Sequence, residues 1–327
     1  MKTRRDNDRR EGKGRPAMAM VLCACLAVLV APQPLAAQTF GEANVSRWQV
    51  GMMMRAAGPC RDLHGYLPVP KDWPEQQVTV LEEDISPEVS VRFETVDDGA
   101  RILDVRVPQL AAGREVKALI TLRVLRGAIL PPDDMDGYVL PEAKRLPPAI
   151  ATHLLPSPKI ESDSPQIQDL AKTIGTDRTA WRRAEAIYDW VREHVRYEEG
   201  PWKGALAALN DGSGDCEECS ALFIAICRAA GIPARTVWVP DHCYAEFYLE
   251  DRRGQGRWFP CQSAGTREFG EITEFAPILQ KGDSFRPPPN GRERQRYMAE
   301  FLSGTAEPGR GPQVTMIRDR MDSESSP

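Results

Sequence analysis

The sequence predicts an α+β fold, in which a β-rich segment is followed by helices and then by an antiparallel sheet. From about Ser46 to Gly127, apolar residues alternate with polar ones, a pattern typical of half-buried strands. Apolar residues recur at spacings of three and four from Ala180 to Val195, which indicates an amphipathic helix. Alternation returns at 235–261, where a polar turn at 251–256 predicts a hairpin.

The first 37 residues predict a signal peptide. Seven basic residues precede an apolar run from Ala17 to Ala31, and small residues at Ala36 and Ala37 offer a cleavage site. The apolar run is shorter than a typical membrane-spanning helix. We therefore expect an exported protein, periplasmic or extracellular, without a membrane partner after cleavage.

The charge of the exported chain excludes one class of partner. The leader holds seven basic and three acidic residues, so its removal takes the net charge from −5 to −9. An acidic chain is unsuited to nucleic acid. A length of 327 residues fits about two domains after the leader is removed.

Residues 40–127 predict a β-rich accessory domain, arranged as a small β-sandwich that carries no catalytic constellation. Cys60 and His64 lie four residues apart, but Gly58-Pro59 precedes them and predicts a turn, so we assign no metal site there. Prolines at 131–132, 147–148 and 156–165 mark a Pro-rich linker over 128–165. The alternating strands are Gln77–Leu81, Val89–Phe93, Ile102–Val107 and Val116–Val124.

Residues 166–281 predict a helical and then sheet-forming core. Asp177 is expected to cap its first long helix, and the turn at 211–214 leads into a second helix that begins near Cys216. Gly231 and Pro233 end that helix. Residues 282–327 are expected to form a C-terminal extension, with one strand at 314–317 and disorder in the last residues.

Cys216 is the strongest candidate for a nucleophile. A cysteine at a helix N-terminus meets unpaired backbone N–H groups and the positive end of the helix dipole, and both favour the thiolate. His242 follows 26 residues later in a predicted strand, and the whole chain has four histidines. A thiolate beside an imidazole indicates nucleophilic acyl chemistry.

The six cysteines outside the leader leave two other hypotheses open. Five of them fall within 46 residues, which suggests a site more than a framework of disulfides. Cys216 and Cys219 form a C-x-x-C unit, as in redox proteins. Together with Cys243 and Cys261 they also offer four possible zinc ligands.

The stretch Gly214-Asp215-Cys216-Glu217-Glu218-Cys219-Ser220-Ala221-Leu222-Phe223 carries a family resemblance. With Gly231-Ile232-Pro233-Ala234-Arg235 after the helix, it resembles the transglutaminase-like superfamily, a papain-related group with many bacterial cysteine proteins. The similarity covers about Asp177 to Gly265. It implies a papain-like transglutaminase core, with Cys216 as nucleophile and His242 as general base. The β-rich segment ahead of the core is similar to the accessory domain common in the family.

The sequence departs from the family at one catalytic position. The family usually has Trp-x-x-x-Asp, in which Asp orients the histidine. Here the residue four positions after Trp258 is Gln262. An amide can accept a hydrogen bond from imidazole and hold its tautomer, but it brings no charge. The oxyanion hole is expected to combine the Cys216 backbone N–H with a donor from Tyr197 or Trp202.

The resulting hypothesis is an exported, thiol-dependent acyl-transfer enzyme that hydrolyses amide or peptide bonds of a peptide or protein substrate. Cys216, His242 and Gln262 form its catalytic set, and no cofactor or metal is expected. The first alternative is a non-catalytic peptide- or protein-binding module on the same fold. The second is a zinc- or redox-cysteine protein.

Overall fold

The computed structural model of this protein describes residues 40–288 and 291–321. The predicted signal peptide at 1–37 lies outside the described residues, as do residues 322–327, within the segment predicted to be disordered. No helix in the described ranges combines the length and the apolar character needed to cross a bilayer.

The described chain is rich in antiparallel strands. The strands are β1 Phe40–Ala56, β2 Cys60–Val69, β3 Gln76–Ile85, β4 Ser90–Val96, β5 Ala100–Leu110, β6 Glu115–Ile129, β7 Tyr138–Val139, β8 Arg196–Tyr197, β9 Ser213–Gly214, β10 Ala234–Val239, β11 His242–Asp251, β12 Gly256–Gln262, β13 Glu268–Phe269, β14 Gln280–Lys281, β15 Phe301–Ala306 and β16 Pro312–Met321. The helices are α1 Pro148–Ala151, α2 Pro165–Ala171, α3 Ala180–His194, α4 Ala205–Asp211 and α5 Cys216–Ala229, with short 3₁₀ helices at Met135–Gly137, Ala143–Arg145 and Thr152–Leu154.

The N-terminal half is a sandwich of two sheets. One has the strand order β16-β1-β6-β3, and the other is the end of a larger sheet in which β5, β2 and β15 are neighbours. Alternate residues of these strands point inward and bury Met52, Leu67, Leu103 and Ile120 completely. The predicted α+β class and the β-rich N-terminal region are therefore confirmed.

The larger sheet runs through both halves of the chain, in the order β13-β12-β11-β10-β14-β5-β2-β15. The short strand β14 makes the connection, because Gln280 pairs with Ala100 of β5 on one side and with Trp238 of β10 on the other. The C-terminal segment completes the sandwich: β15 pairs with β2, and β16 pairs with β1. The strand expected at 314–317 is present and longer, whereas β15 was not predicted.

Two local expectations were wrong, and the range assigned to a linker contains a strand. Cys60 and His64 lie in β2 rather than in a turn, and the His64 imidazole contacts the Asp104 carboxylate on the neighbouring strand β5. Helix α3 is capped by Thr179 rather than by Asp177, because the Thr179 hydroxyl accepts from the Arg182 backbone N–H. The range predicted as a linker, 128–165, contains β7, which pairs with β11.

Helix α5 is the centre of the second half. Its side chains from Glu218 to Arg228 are buried, between α2, α3 and α4 on one side and β10 and β11 on the other. At its C-terminal end, the Arg228 guanidinium forms an ion pair at 2.8 Å with Asp283, and both side chains are fully buried. The helix start, and Cys216 with it, is therefore held by packing along its whole length.

Candidate active site

The start of α5 is fixed by a reciprocal cap. The Asp215 carboxylate accepts from the Glu217 backbone N–H at 2.8 Å, and the Glu218 carboxylate accepts from the Asp215 backbone N–H at 3.1 Å. Glu218 also accepts from the Lys203 backbone N–H at 2.9 Å. This arrangement is a capping box, and it makes Cys216 the first residue of the helix.

Gly214 makes room for the buried Glu218 side chain. A Cβ atom at position 214 would lie 2.3 Å from the Glu218 Cβ, which is a severe overlap. The Gly-x-Cys spacing therefore has a physical cause, because the cap beneath Cys216 needs a residue without a side chain two positions earlier.

Strand β11 begins with His242, and β12 ends with Gln262. The two strands are neighbours, and the His242 Nε2 donates to the Gln262 Oε1 over 2.9 Å. Since Nε2 is occupied by the amide, Nδ1 is the ring nitrogen left for Cys216. The structure thus brings Cys216, His242 and Gln262 together.

The backbone of Gln262 is held by helix α3. The Tyr188 hydroxyl donates to the Gln262 carbonyl at 2.7 Å, and the Arg192 guanidinium donates to the same oxygen at 3.2 Å. The Tyr188 oxygen also accepts from the Glu268 backbone N–H. These two side chains fix the end of β12, and sequence reasoning missed both, since each occupies an ordinary position on a predicted helix.

The environment of Cys216 favours the thiolate. A hydrogen bond from the Cys243 side chain is the largest cause that lowers the pKa of Cys216 to about 4, and burial opposes it. His242 and the Cys243 backbone N–H lower the pKa further. The Cys216 thiolate in turn raises the pKa of His242 to about 9, against burial and with help from Gln262. Between these two pH values the pair is a thiolate and an imidazolium.

Burial disfavours the thiolate at other cysteines of this core. Burial raises the pKa of Cys219 to about 12, and it raises the pKa of Cys227 and Cys261 as well. Cys261 lies opposite Ala245, so it does not face Cys243 across the strands. All six cysteines outside the leader are free, and within 40–288 and 291–321 no three metal-ligating side chains form a suitable cluster.

The two candidate oxyanion donors lie in different surroundings. Tyr197 is 56% exposed, in the short strand β8, where it pairs with Gly214. The pKa of Tyr197 is raised, first by desolvation and then by the negative charge of Cys216. Trp202 is partly buried against the core, and the Arg296 guanidinium lies 4.0 Å from its ring centroid.

Cys216 and His242 open into a cavity of about 280 Å³. Its walls come from the start of α5, the β10–β11 hairpin and, unexpectedly, the C-terminal segment. Arg296, Tyr297 and Arg318 line it. Sequence reasoning assigned this segment to an extension, because an Arg- and Pro-rich stretch gives no sign of which pocket it reaches.

Glu274 is a further acidic group near the site that sequence reasoning missed. Burial raises the pKa of its carboxyl, and the charge of His242 lowers it in part. Glu274 in turn makes a small contribution to the raised pKa of His242. In its ionised form, Glu274 is therefore a source of negative charge near a histidine whose direct partner is an uncharged amide.

A larger cavity, about 470 Å³, lies away from Cys216, between the 97–99 turn and residues 149–157. The charged side chains behind it neutralise each other. Lys281 contacts both Glu75 and Glu246 at 2.5 Å, and Arg235 contacts Glu246 at 2.8 Å. We interpret this network as structural.

Comparison with known proteins matches this core to one family. Residues 168–263 match the family model of the transglutaminase-like superfamily. They form a transglutaminase-like domain. The matched range contains Cys216, His242 and Gln262, and it begins in α2 and ends directly after β12.

The fold around the transglutaminase-like domain also has a counterpart. A crystal structure of a "putative cysteine protease" from Cytophaga hutchinsonii aligns with a TM-score of 0.57 and 17% identity, over 88% of this chain and 94% of that one. At this identity the similarity concerns the fold alone. The alignment extends well beyond the transglutaminase-like domain, so the β-rich half is part of the shared architecture.

A sequence relative is known from Haemophilus influenzae, where it is an uncharacterised protein. The two are 22% identical over 207 residues, which cover 51% of this chain. The chain spans about half, 54%, of the length of that relative.

Proposed function

We propose that this protein is a thiol-dependent hydrolase of amide or peptide bonds, with Cys216 as nucleophile and His242 as general acid and base. The observation that carries the proposal is the His242–Gln262 hydrogen bond at 2.9 Å beside a cysteine at a helix N-terminus. That bond leaves one imidazole nitrogen for the sulfur, which is the arrangement that a Cys–His nucleophile requires.

In the first half of the reaction, the Cys216 thiolate forms a C–S bond with the substrate carbonyl carbon. The negative charge that develops on the carbonyl oxygen is stabilised by the Cys216 backbone N–H, which has no acceptor within the helix because the first N–H groups never do. Trp202 or Tyr197 supplies the second donor. The His242 imidazolium gives its Nδ1 proton to the leaving nitrogen, the C–N bond breaks, and a thioester and an amine result.

In the second half, neutral His242 removes a proton from water at the same nitrogen. The hydroxide attacks the thioester, the C–S bond breaks, and the thiolate–imidazolium pair is restored with release of the acid. Gln262 holds the Nε2–H tautomer throughout. Because its amide is uncharged, it stabilises the imidazolium less than an aspartate would. In the resting pair, the Cys216 thiolate supplies the negative charge.

We further propose that the protein acts outside the cytoplasm, on peptides or proteins. The basic start and apolar run at 1–37 support export. Six unpaired cysteines in an oxidising compartment are compatible with this proposal, because all except Cys216 are buried.

The proposal is tested by incubating the mature protein with a peptide library and identifying new termini by mass spectrometry. We expect new termini with the wild-type protein and with Cys219→Ser, and none with Cys216→Ser. Iodoacetamide should label Cys216 selectively at pH 6, where an ordinary thiol is protonated. New termini that persist in Cys216→Ser, or slow and equal labelling of all cysteines, would contradict the proposal.

The amide at position 262 favours a second candidate function, a peptide-binding module that no longer catalyses hydrolysis. This function predicts retention of library peptides by the wild-type protein without new termini. The same experiment therefore separates the two functions.

A further inference from the structure

The cavity beside Cys216 has an arginine built into its wall. The Arg296 guanidinium lies 4.0 Å from the ring centroid of Trp202 and 5.1 Å from that of Trp238. Tyr297 packs edge-on against Trp238, with the ring centroids 5.0 Å apart. Cation–π contact with tryptophan holds a guanidinium by its faces and leaves its N–H edge available.

The backbone that carries Arg296 is anchored on both sides. Gln295 and Phe285 exchange two backbone hydrogen bonds of 2.7 and 2.8 Å. Met298 donates its backbone N–H to the Gln280 side chain at 2.9 Å, and Gln280 is completely buried. Arg296 is therefore presented to the cavity by a fixed segment.

Two guanidinium groups face the carboxylates of Glu217 and Asp241 in the cavity wall. Arg296 forms an ion pair with Glu217, the residue after Cys216, and Arg318 donates to Glu300 at 3.0 Å. Within the described part of the chain, these are the acceptors recorded for the two guanidinium groups. Each group has five N–H donors, so the two groups together have more donors than these two carboxylates occupy.

We propose that Arg296 and Arg318 form a carboxylate-binding subsite next to the nucleophile, and that the substrates carry a carboxylate beside the scissile amide. The inference rests on the proposed function and specifies its substrate class. A carboxylate accepts two N–H groups of one guanidinium in parallel, which gives the subsite both affinity and direction.

Glu217 contacts the N–H edge of the Arg296 guanidinium, and a substrate carboxylate would bind to the same edge. Burial raises the pKa of Glu217, with Arg296 opposing, so this carboxylate is poorly stabilised in its charged form. It is therefore a replaceable partner, one that keeps Arg296 paired until substrate arrives. Loss of its charge should strengthen carboxylate binding.

The test uses three N-bromoacetyl probes that alkylate Cys216. Bromoacetyl-glutamate α-amide carries a side-chain carboxylate, bromoacetyl-glutamine carries an α-carboxylate, and bromoacetyl-glutamine α-amide is neutral. We expect at least one charged probe to label Cys216 about five- to tenfold faster than the neutral probe. This ratio is what one additional charge-assisted hydrogen bond would contribute. The charged probe that gains the advantage identifies which kind of carboxylate the subsite accepts.

Variants assign the preference to the subsite. Arg296→Gln or Arg318→Gln should reduce the ratio of the charged-probe rate to the neutral-probe rate, and Glu217→Gln should increase that ratio, whatever happens to the neutral-probe rate itself. Arg310→Gln, an exposed arginine beside Glu307 on the same segment, is the matched control. The neutral probe also reports whether each variant is folded at the site.

The outcomes separate the inference from the proposed function. Equal rates for all three probes, or an advantage that persists in both arginine variants, would overturn the subsite. Slow labelling of Cys216 by the neutral probe would instead overturn the reactive thiolate, and with it the proposed function.

Discussion

Replacing Cys243 by alanine should make Cys216 a weaker acid. The Cys243 side chain gives the largest contribution to the lowered pKa of Cys216, and it lies directly after His242 in β11. A hydrogen bond to a charged acceptor contributes about 1.5–3 kcal/mol, and a thiol is a weak donor, so the lower end applies. At about 1.4 kcal/mol per pKa unit, the pKa of Cys216 should rise by about one unit.

The assay is the rate of iodoacetamide alkylation at Cys216, followed by mass spectrometry between pH 3.5 and 8. The wild-type midpoint is expected at about pH 4. In Cys243→Ala the midpoint should move to about pH 5, so that the rate at pH 4.5 falls about threefold while the rate at pH 7 is unchanged.

Cys261→Ala is the matched control, because it removes an equally buried thiol from the neighbouring strand β12. It should leave the midpoint where it is. An unchanged midpoint in Cys243→Ala, or the same shift in both variants, would refute the idea that the Cys243 thiol stabilises the Cys216 thiolate.

Three further predictions concern the same core. Hydrolysis should follow a bell-shaped pH profile, rising near pH 4 as Cys216 ionises and falling near pH 9 as His242 loses its proton; a single ionisation near pH 8.5 would contradict the ion pair. Gln262→Glu places a negative charge on the same atoms, so the pKa of His242 should rise above about 9 in an NMR titration; a lower value would mean that Gln262 is not its partner. Asp283→Asn leaves Arg228 buried without its counter-charge and should lower the free energy of unfolding in urea by about 3–5 kcal/mol, whereas a loss below about 1 kcal/mol would show that the pair is dispensable.

Sequence patterns predicted the strands and the helix start that depend on residues close together in the sequence. The period-two segments became β3, β4, β5 and β6, and the Gly214-x-Cys216 turn became the start of α5. Both depend on near neighbours, namely the alternation of side chains along a strand and a capping carboxylate within three residues. The catalytic roles of Cys216, His242 and Gln262 stay predictions.

The missed features depend on partners that are distant in sequence. Strand β15 is short and gains its register only by pairing with β2, more than 230 residues earlier. Tyr188 and Arg192 hold Gln262 across about 70 residues, and nothing in the α3 pattern distinguishes them from other helix residues. Arg296 was missed for the same reason, because its tryptophan neighbours come from two other segments.

Strand β16 has a consequence for the order in which the molecule can be built. It pairs with β1 along the whole stretch from Arg47 to Ala56, so β1 lacks one neighbour until residues 312–321 have been synthesised. Arg318 arrives at the cavity on that same strand. A ribosome-bound or C-terminally truncated chain therefore has Cys216 and His242 in its sequence but an incomplete wall around them, and assembly of the sheet coincides with completion of the pocket.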